Sequence, residues 1–218
     1  QETLPAQSSA EYKTIKTVRH DYHLIDTPEK LDEFANELKK QKIFAIDTET
    51  TSVSAHRAEL VGLSFAFQPR SGYYIAVKGP MMSKQLGPSA VQKKLAPILT
   101  DAKIKKICQN AKYDMIVLHN AGMPLAGLAF DTMIASYVLD AERRSHSMDN
   151  MAMDFLHYQP IPISDLIGKG KNQLTFDLVD TAIACDYSAE DADITFQLYE
   201  YLNRKLNSEP KLKKLFEE

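Results

Sequence analysis

Phe44-Ala45-Ile46-Asp47-Thr48-Glu49-Thr50 is the stretch from which the fold of this chain can be read. A short apolar run, expected to be a buried strand, leads directly into two carboxylates separated by one residue. Side chains at i and i+2 of an extended chain point to the same face, so Asp47 and Glu49 converge. Like charges held together raise each other's pKa unless a cation neutralises them. An oxygen-rich cluster of this kind is what a hard divalent ion such as Mg²⁺ or Mn²⁺ seeks. Taken alone, the motif is more often a solvated strand end, because most acidic side chains are simply exposed.

The flanking sequence supplies a mixed α/β setting. Strands are expected at residues 42–46, 59–67 and 73–77, joined by short links as antiparallel hairpins. Before them, Thr27 can cap a helix with Pro28 in its first position and Glu29 in its first turn. Leu31, Phe34 and Leu38 then recur at helical spacing. After them come a helix at 89–99, a strand at 105–108 and a helix containing Asp114, Ile116, Val117 and Leu118. An apolar stretch leads into 131–139, and the remainder to about Leu206 reads as mostly helical. Residues 1–22 are expected to be a tail or linker, 23–205 the folded domain, and 206–218 a connection to further chain.

Composition narrows the function classes. The chain has 218 residues, 44% hydrophobic and 25% charged, the balance of a globular domain with material for a core. No apolar run approaches the ~20 residues of a membrane span. Cys108 and Cys185 cannot form a disulfide framework or a metal-binding pair, and are expected to be buried reduced thiols. A net charge of −3 argues against a general polyanion binder, although cations bound at carboxylates would alter the local potential. The chain starts at Gln1 without a signal-peptide core, which suggests a piece of a longer protein or a processed start.

Two further acids reweigh the first motif. Asp114 closes Gln109-Asn110-Ala111-Lys112-Tyr113-Asp114, and Asp191 follows Tyr187-Ser188-Ala189-Glu190. On a helix Tyr187 and Asp191 are i, i+4 neighbours, so a phenol sits one turn from a carboxylate.

These motifs, in this order, resemble the 3′–5′ proofreading exonuclease domains of bacterial family-A DNA polymerases, which are DnaQ-like exonucleases of the ribonuclease H-like fold. Val61-Gly62-Leu63-Ser64-Phe65, Phe130-Asp131-Thr132-Met133 and the run from Gly168 to Phe176 add to the likeness. The resemblance implies an α/β, ribonuclease H-like mixed sheet of about five strands, the first three antiparallel, flanked by helices. It implies that Asp47, Glu49, Asp114 and Asp191 hold two divalent cations, Mg²⁺ or Mn²⁺, with Asp47 shared between them. Tyr187 and Glu49 would aim the attacking water. Thr50, Gln109, Asn110, Tyr113 and Met148 would border the 3′-terminal nucleotides. Val53 stands where relatives carry a wedging leucine, and Ile163 where some carry a phenylalanine. The implied activity releases nucleoside 5′-monophosphates from single-stranded or mismatched DNA 3′ ends, in a monomeric, cytoplasmic bacterial protein beside a polymerase domain of the same chain. The alternatives are a ribonuclease D-like RNA-trimming enzyme, sharing the same acids, and an inactive DNA-binding scaffold.

Other conspicuous residues have blander readings. Lys103, Lys105, Lys106 and Lys112 are expected on a solvated face, with phosphate contact as the sharper option. Lys169 and Lys171 lack the spacing of a phosphate loop. His146 lacks a second ligand at metal spacing. Asp131 and Asp193 are expected to cap or accept hydrogen bonds, and Tyr158, Tyr199 and Tyr201 to pack or lie at the surface.

Overall fold

The computed structural model describes residues 12–218, so residues 1–11 of the expected tail lie outside the described residues. Its strands are β1 (Asp21–Ile25), β2 (Ile43–Thr50), β3 (Leu60–Gln68), β4 (Ser71–Ala76), β5 (Lys105–Cys108) and β6 (Leu128–Asp131). They form one sheet in the order β1-β4-β3-β2-β5-β6. The β2–β3–β4 meander is antiparallel, as expected. β1 lies parallel to β4, β5 to β2 and β6 to β5. Only β3 therefore runs against the other strands, and the carboxyl ends of the rest share one edge of the sheet.

The six strands fit the expected mixed sheet of about five, with β1 and β6 short and only partly apolar. One expectation needs correction. The expected tail reaches too far: Asp21 and Tyr22 already belong to β1, and Lys13 bridges to Tyr158. At the other end, the final helix folds back, its Phe216 ring 4.8 Å from that of Phe130.

Helices cover both faces: α1 (Pro28–Leu38), α2 (Pro88–Leu99), α3 (Ala111–Asn120), α4 (Thr132–Leu139), α5 (Met148–Met151), α6 (Ile163–Ile167), α7 (Thr181–Asn207) and α8 (Pro210–Glu217). Thr27 caps α1 by accepting the Lys30 N–H at 3.4 Å, with Pro28 as the first helical residue. Alternation along β2 then divides the core. Phe44 and Ile46 pack with Leu31, Phe34, Leu95 and Leu99 beneath α1 and α2. Ala45 packs with Ala66, Ile107 and Ala192 beneath α7.

The α7 side is lined with small residues, and this allows a close approach. A Cβ on Gly72 of β4 would lie 2.5 Å from the Ala189 carbonyl oxygen of α7. The long helix is thereby pressed against the sheet face on which Asp47 and Glu49 project. Both cysteines are buried and unpaired, as expected. No helix among the described residues is long and apolar enough to cross a membrane.

Candidate active site

β2 runs on through the two acids to Thr50, because Asp47 and Glu49 pair with Ser64 and Gly62 of β3. Across the gap, α7 presents Asp191. One carboxylate oxygen from each of Asp47, Glu49 and Asp191 lies within 4.8 Å of the other two. Burial pushes Asp47 up to about 7. Burial, reinforced by the Asp47 charge, pushes Glu49 up to about 8, although Ser188 donates to its Oε1 at 2.7 Å. Asp191 is held well above the usual carboxylate range by burial and then by Asp47 and Glu49.

The donor set fits a divalent cation. The ligands are all oxygens, they converge, and they raise one another's proton affinity in the absence of positive charge. Asp191 Oδ1 is buried without a hydrogen-bond partner, and so is the hydroxyl of Ser64, cross-strand from Asp47. Asp177 Oδ1, in the segment before α7, is a third such atom. A buried acceptor left unpaired is costly, and a cation at the cluster would satisfy the Asp191 oxygen.

Asp114 stands outside this group of three. It sits in the first turn of α3 and accepts the Thr48 hydroxyl at 2.6 Å. Thr48 alternates with Asp47 and Glu49, so Asp114 reaches the end of β2 from the α3 side while staying within range of the Asp47 charge. Burial, then the Asp47 charge, raises it well above the ordinary carboxylate value. Tyr187 lies one turn before Asp191, its ring centroid 5.9 Å from that of Phe176. Burial and the neighbouring acids hold its phenol protonated.

The residues expected around the 3′ end fall into two groups. Tyr113 is tied down: its hydroxyl is 2.5 Å from Thr50 Oγ1 and donates to the Ser52 carbonyl, fixing the loop that carries Val53. Gln109 is also engaged, its Oε1 accepting from Thr132 and its amide donating to the His146 carbonyl at 3.0 Å. Met148 contacts Thr195 of α7 through its sulfur at 3.5 Å. Val53, by contrast, is 98% exposed and Ile163 38% exposed. Asn110 adopts a left-handed conformation (φ 65°), and its side chain makes no capping bond.

The blander expectations hold for Asp131, which caps α4 and also accepts the Ala111 N–H at 2.8 Å. They hold too for Asp193, which accepts from Tyr22, Gln197 and the Arg70 backbone. Lys106 departs from expectation. It is fully buried and donates to the Ile98 and Asp101 carbonyls, bracing the turn after α2. Burial lowers its pKa to about 8. Sequence reasoning also missed Thr48 and Ser188, which orient Asp114 and Glu49. Ser188 was detectable only as the residue three positions before Asp191 on the same helix.

Comparison with known proteins decides the family. The family-A DNA polymerase model described as 3′–5′ exonuclease matches residues 22–207. The chain belongs to this exonuclease family. The exonuclease is 39% identical over 215 residues to DNA polymerase I of Pseudomonas aeruginosa, a match covering 97% of this chain and 24% of that one. It thus spans about a quarter of the length of that relative. Its fold is shared with the catalytic core of RRP6 from Trypanosoma brucei (TM-score 0.70, 18% identity, covering 97% of this chain and 53% of that one). Brucella melitensis NrnC is similarly related (TM-score 0.65, 21% identity, 90% and 87% covered). The ribonuclease H-like expectation is thereby borne out.

Proposed function

We propose that this exonuclease removes 3′-terminal nucleotides from unpaired DNA ends as nucleoside 5′-monophosphates, as the proofreading part of a longer DNA polymerase I. The observation that carries the proposal is the convergence of Asp47, Glu49 and Asp191, with Tyr187 one helical turn away. Asp47, Glu49, Asp191 and Asp114 are the residues that would hold Mg²⁺ or Mn²⁺. Bound there, such ions supply charge neutralisation at the scissile phosphate and lower the pKa of a water.

The chain's own groups do the positioning. Ser188 occupies Glu49 Oε1, which leaves Oε2 to accept a hydrogen bond from the incoming water. The Tyr187 phenol, held protonated, is a hydrogen-bond donor on the same side. Val53 and Ile163 offer apolar surface on which unpaired bases pack. A paired end must first be melted, at a cost on the order of 1.4 kcal/mol per stacking step.

The test uses oligonucleotides labelled at either end, in Mg²⁺ and in Mn²⁺. Stepwise shortening from the 3′ end is expected, faster on single-stranded or mismatched termini than on blunt duplex. Degradation from the 5′ end, or equal rates on paired and unpaired termini, would contradict the proposal. A 3′-terminal ribonucleotide in the same assay decides between DNA and RNA trimming.

Tyr187→Phe separates chemistry from binding. Removing one hydrogen bond that orients the water is expected to lower the single-turnover rate by a factor of about 10–1,000. DNA affinity should stay within about twofold, because the ring keeps its packing on Phe176. An unchanged single-turnover rate would reduce the tyrosine to a packing residue.

A further inference from the structure

Next to Asp191, α7 carries another buried carboxylate that takes no part in the cluster. Glu190 is fully buried, and its two oxygens are spent on one short segment. Oε1 accepts the Tyr158 phenol at 2.5 Å, and Oε2 accepts the Ile161 backbone N–H at 2.6 Å. That segment is also clipped from the other side. Lys13 donates its N–H to the His157 carbonyl at 3.0 Å, and Gln159 donates back to the Lys13 carbonyl at 2.8 Å.

The local sequence makes this attachment efficient. Pro160 and Pro162 flank Ile161, so its N–H is the one backbone donor across residues 160–162. Pro162 is the residue at the N-terminal boundary of α6, and Ile163 follows it directly. Residues 160–162 also wall an open groove of about 470 Å³, with Ile183 and Asp186 of α7 opposite. Burying a carboxylate costs several kcal/mol before its hydrogen bonds offset it, and an apolar side chain would fill the same space without that cost.

We propose that Glu190 is a positioning residue that straps the Tyr158–Pro162 segment to the turn of α7 bearing Asp191, and so sets where Ile163 and α6 stand relative to the catalytic carboxylates. The proposal rests on the exonuclease function above and adds to it. Grip on the DNA strand and the metal-holding helix are mechanically joined through one side chain. Glu190 touches neither substrate nor metal in this scheme.

The test compares Glu190→Gln and Tyr158→Phe with the parent protein. Glu190→Gln keeps the volume but replaces one acceptor by a donor, and Tyr158→Phe removes a single hydrogen bond. Three measurements are made: KM and kcat on single-stranded DNA, the rise in Tm on adding Mn²⁺, and hydrogen exchange at the Ile161 amide. Both variants are expected to raise KM about tenfold with kcat within about threefold. The Mn²⁺-induced rise in Tm should be unchanged, and Glu190→Gln should speed exchange at Ile161. Unchanged KM in both variants overturns the proposal. A joint loss of kcat and of the Mn²⁺ effect also overturns it, because Glu190 would then act on the metal cluster. If the parent protein cleaves no DNA, the exonuclease proposal fails, and exchange at Ile161 alone judges the strap: an unaltered rate removes it.

Discussion

Asp47→Ala is expected to lower the single-turnover rate of 3′-nucleotide release at least about 1,000-fold, more than any other single acid substitution. The reason is its central place. The Asp47 carboxylate contributes an oxygen to the three-membered cluster, and its charge raises the proton affinity of Glu49, Asp114 and Asp191 alike. Removing it would take one carboxylate from the cluster and weaken the field that would draw a cation in. EDTA should likewise abolish cleavage, and Mg²⁺ or Mn²⁺ should restore it. Glu37→Ala, an exposed acid on α1, serves as the control and should change the rate less than about twofold. A near parental rate for Asp47→Ala, or full activity in excess chelator, would show that the acids are not the catalytic centre.

The second large effect concerns stability without metal. Asp47 and Glu49 ionise at about 7 and about 8 in the folded protein, against ordinary values of 3.8 and 4.5. Both folded values are raised, so their stabilising contribution is complete below the unfolded values. It is lost as pH climbs through the folded ones, because there the native state retains protons that the unfolded chain has released. Between about pH 5 and about pH 8 the metal-free protein should therefore lose stability on the order of several kcal/mol. At roughly 2–4 °C per kcal/mol for a chain of this size, its Tm should fall by about 10 °C or more. Divalent cations would bind the ionised cluster, so their stabilising effect should be large at the upper pH and small at the lower. Asp47→Asn should flatten the metal-free profile. Thermal melts across that range in EDTA and in Mn²⁺ provide the check, and a metal-free Tm that rises with pH would sink the account.

The sequence revealed some elements more readily than others, for physical reasons. Thr27-Pro28-Glu29 announced α1 because capping chemistry is local. The meander was legible from apolar runs separated by turn residues. β1 was not: Asp21-Tyr22-His23-Leu24-Ile25 has only one fully buried side chain, and it is a strand because β4 offers it an edge. The end of β2 was placed too early for a related reason. Charges normally stop a strand, but Asp47 and Glu49 face a crevice rather than a core. Lys106 misled in the opposite sense, since its buried ammonium is satisfied by two carbonyls from a turn that no local pattern advertises. The acids themselves were legible as motifs. The i, i+2 spacing also gave the convergence of Asp47 and Glu49, but the separate placement of Asp114 was not legible, because Thr48 can hold it only once α3 is docked.

The close contact between Gly72 and Ala189 has a consequence for how the protein is made. Synthesis delivers β2 and α3 well before α7, and domains assemble as their segments leave the ribosome. Until Asp191 and Tyr187 emerge, a nascent chain holds two of the converging acids but nothing to close the cluster. Chains cut short before α7 lack Asp191 and Tyr187 and are expected to release no nucleotides. On the proposed function, cutting ability would switch on only with α7, when the sheet that carries Asp47 and Glu49 is already built.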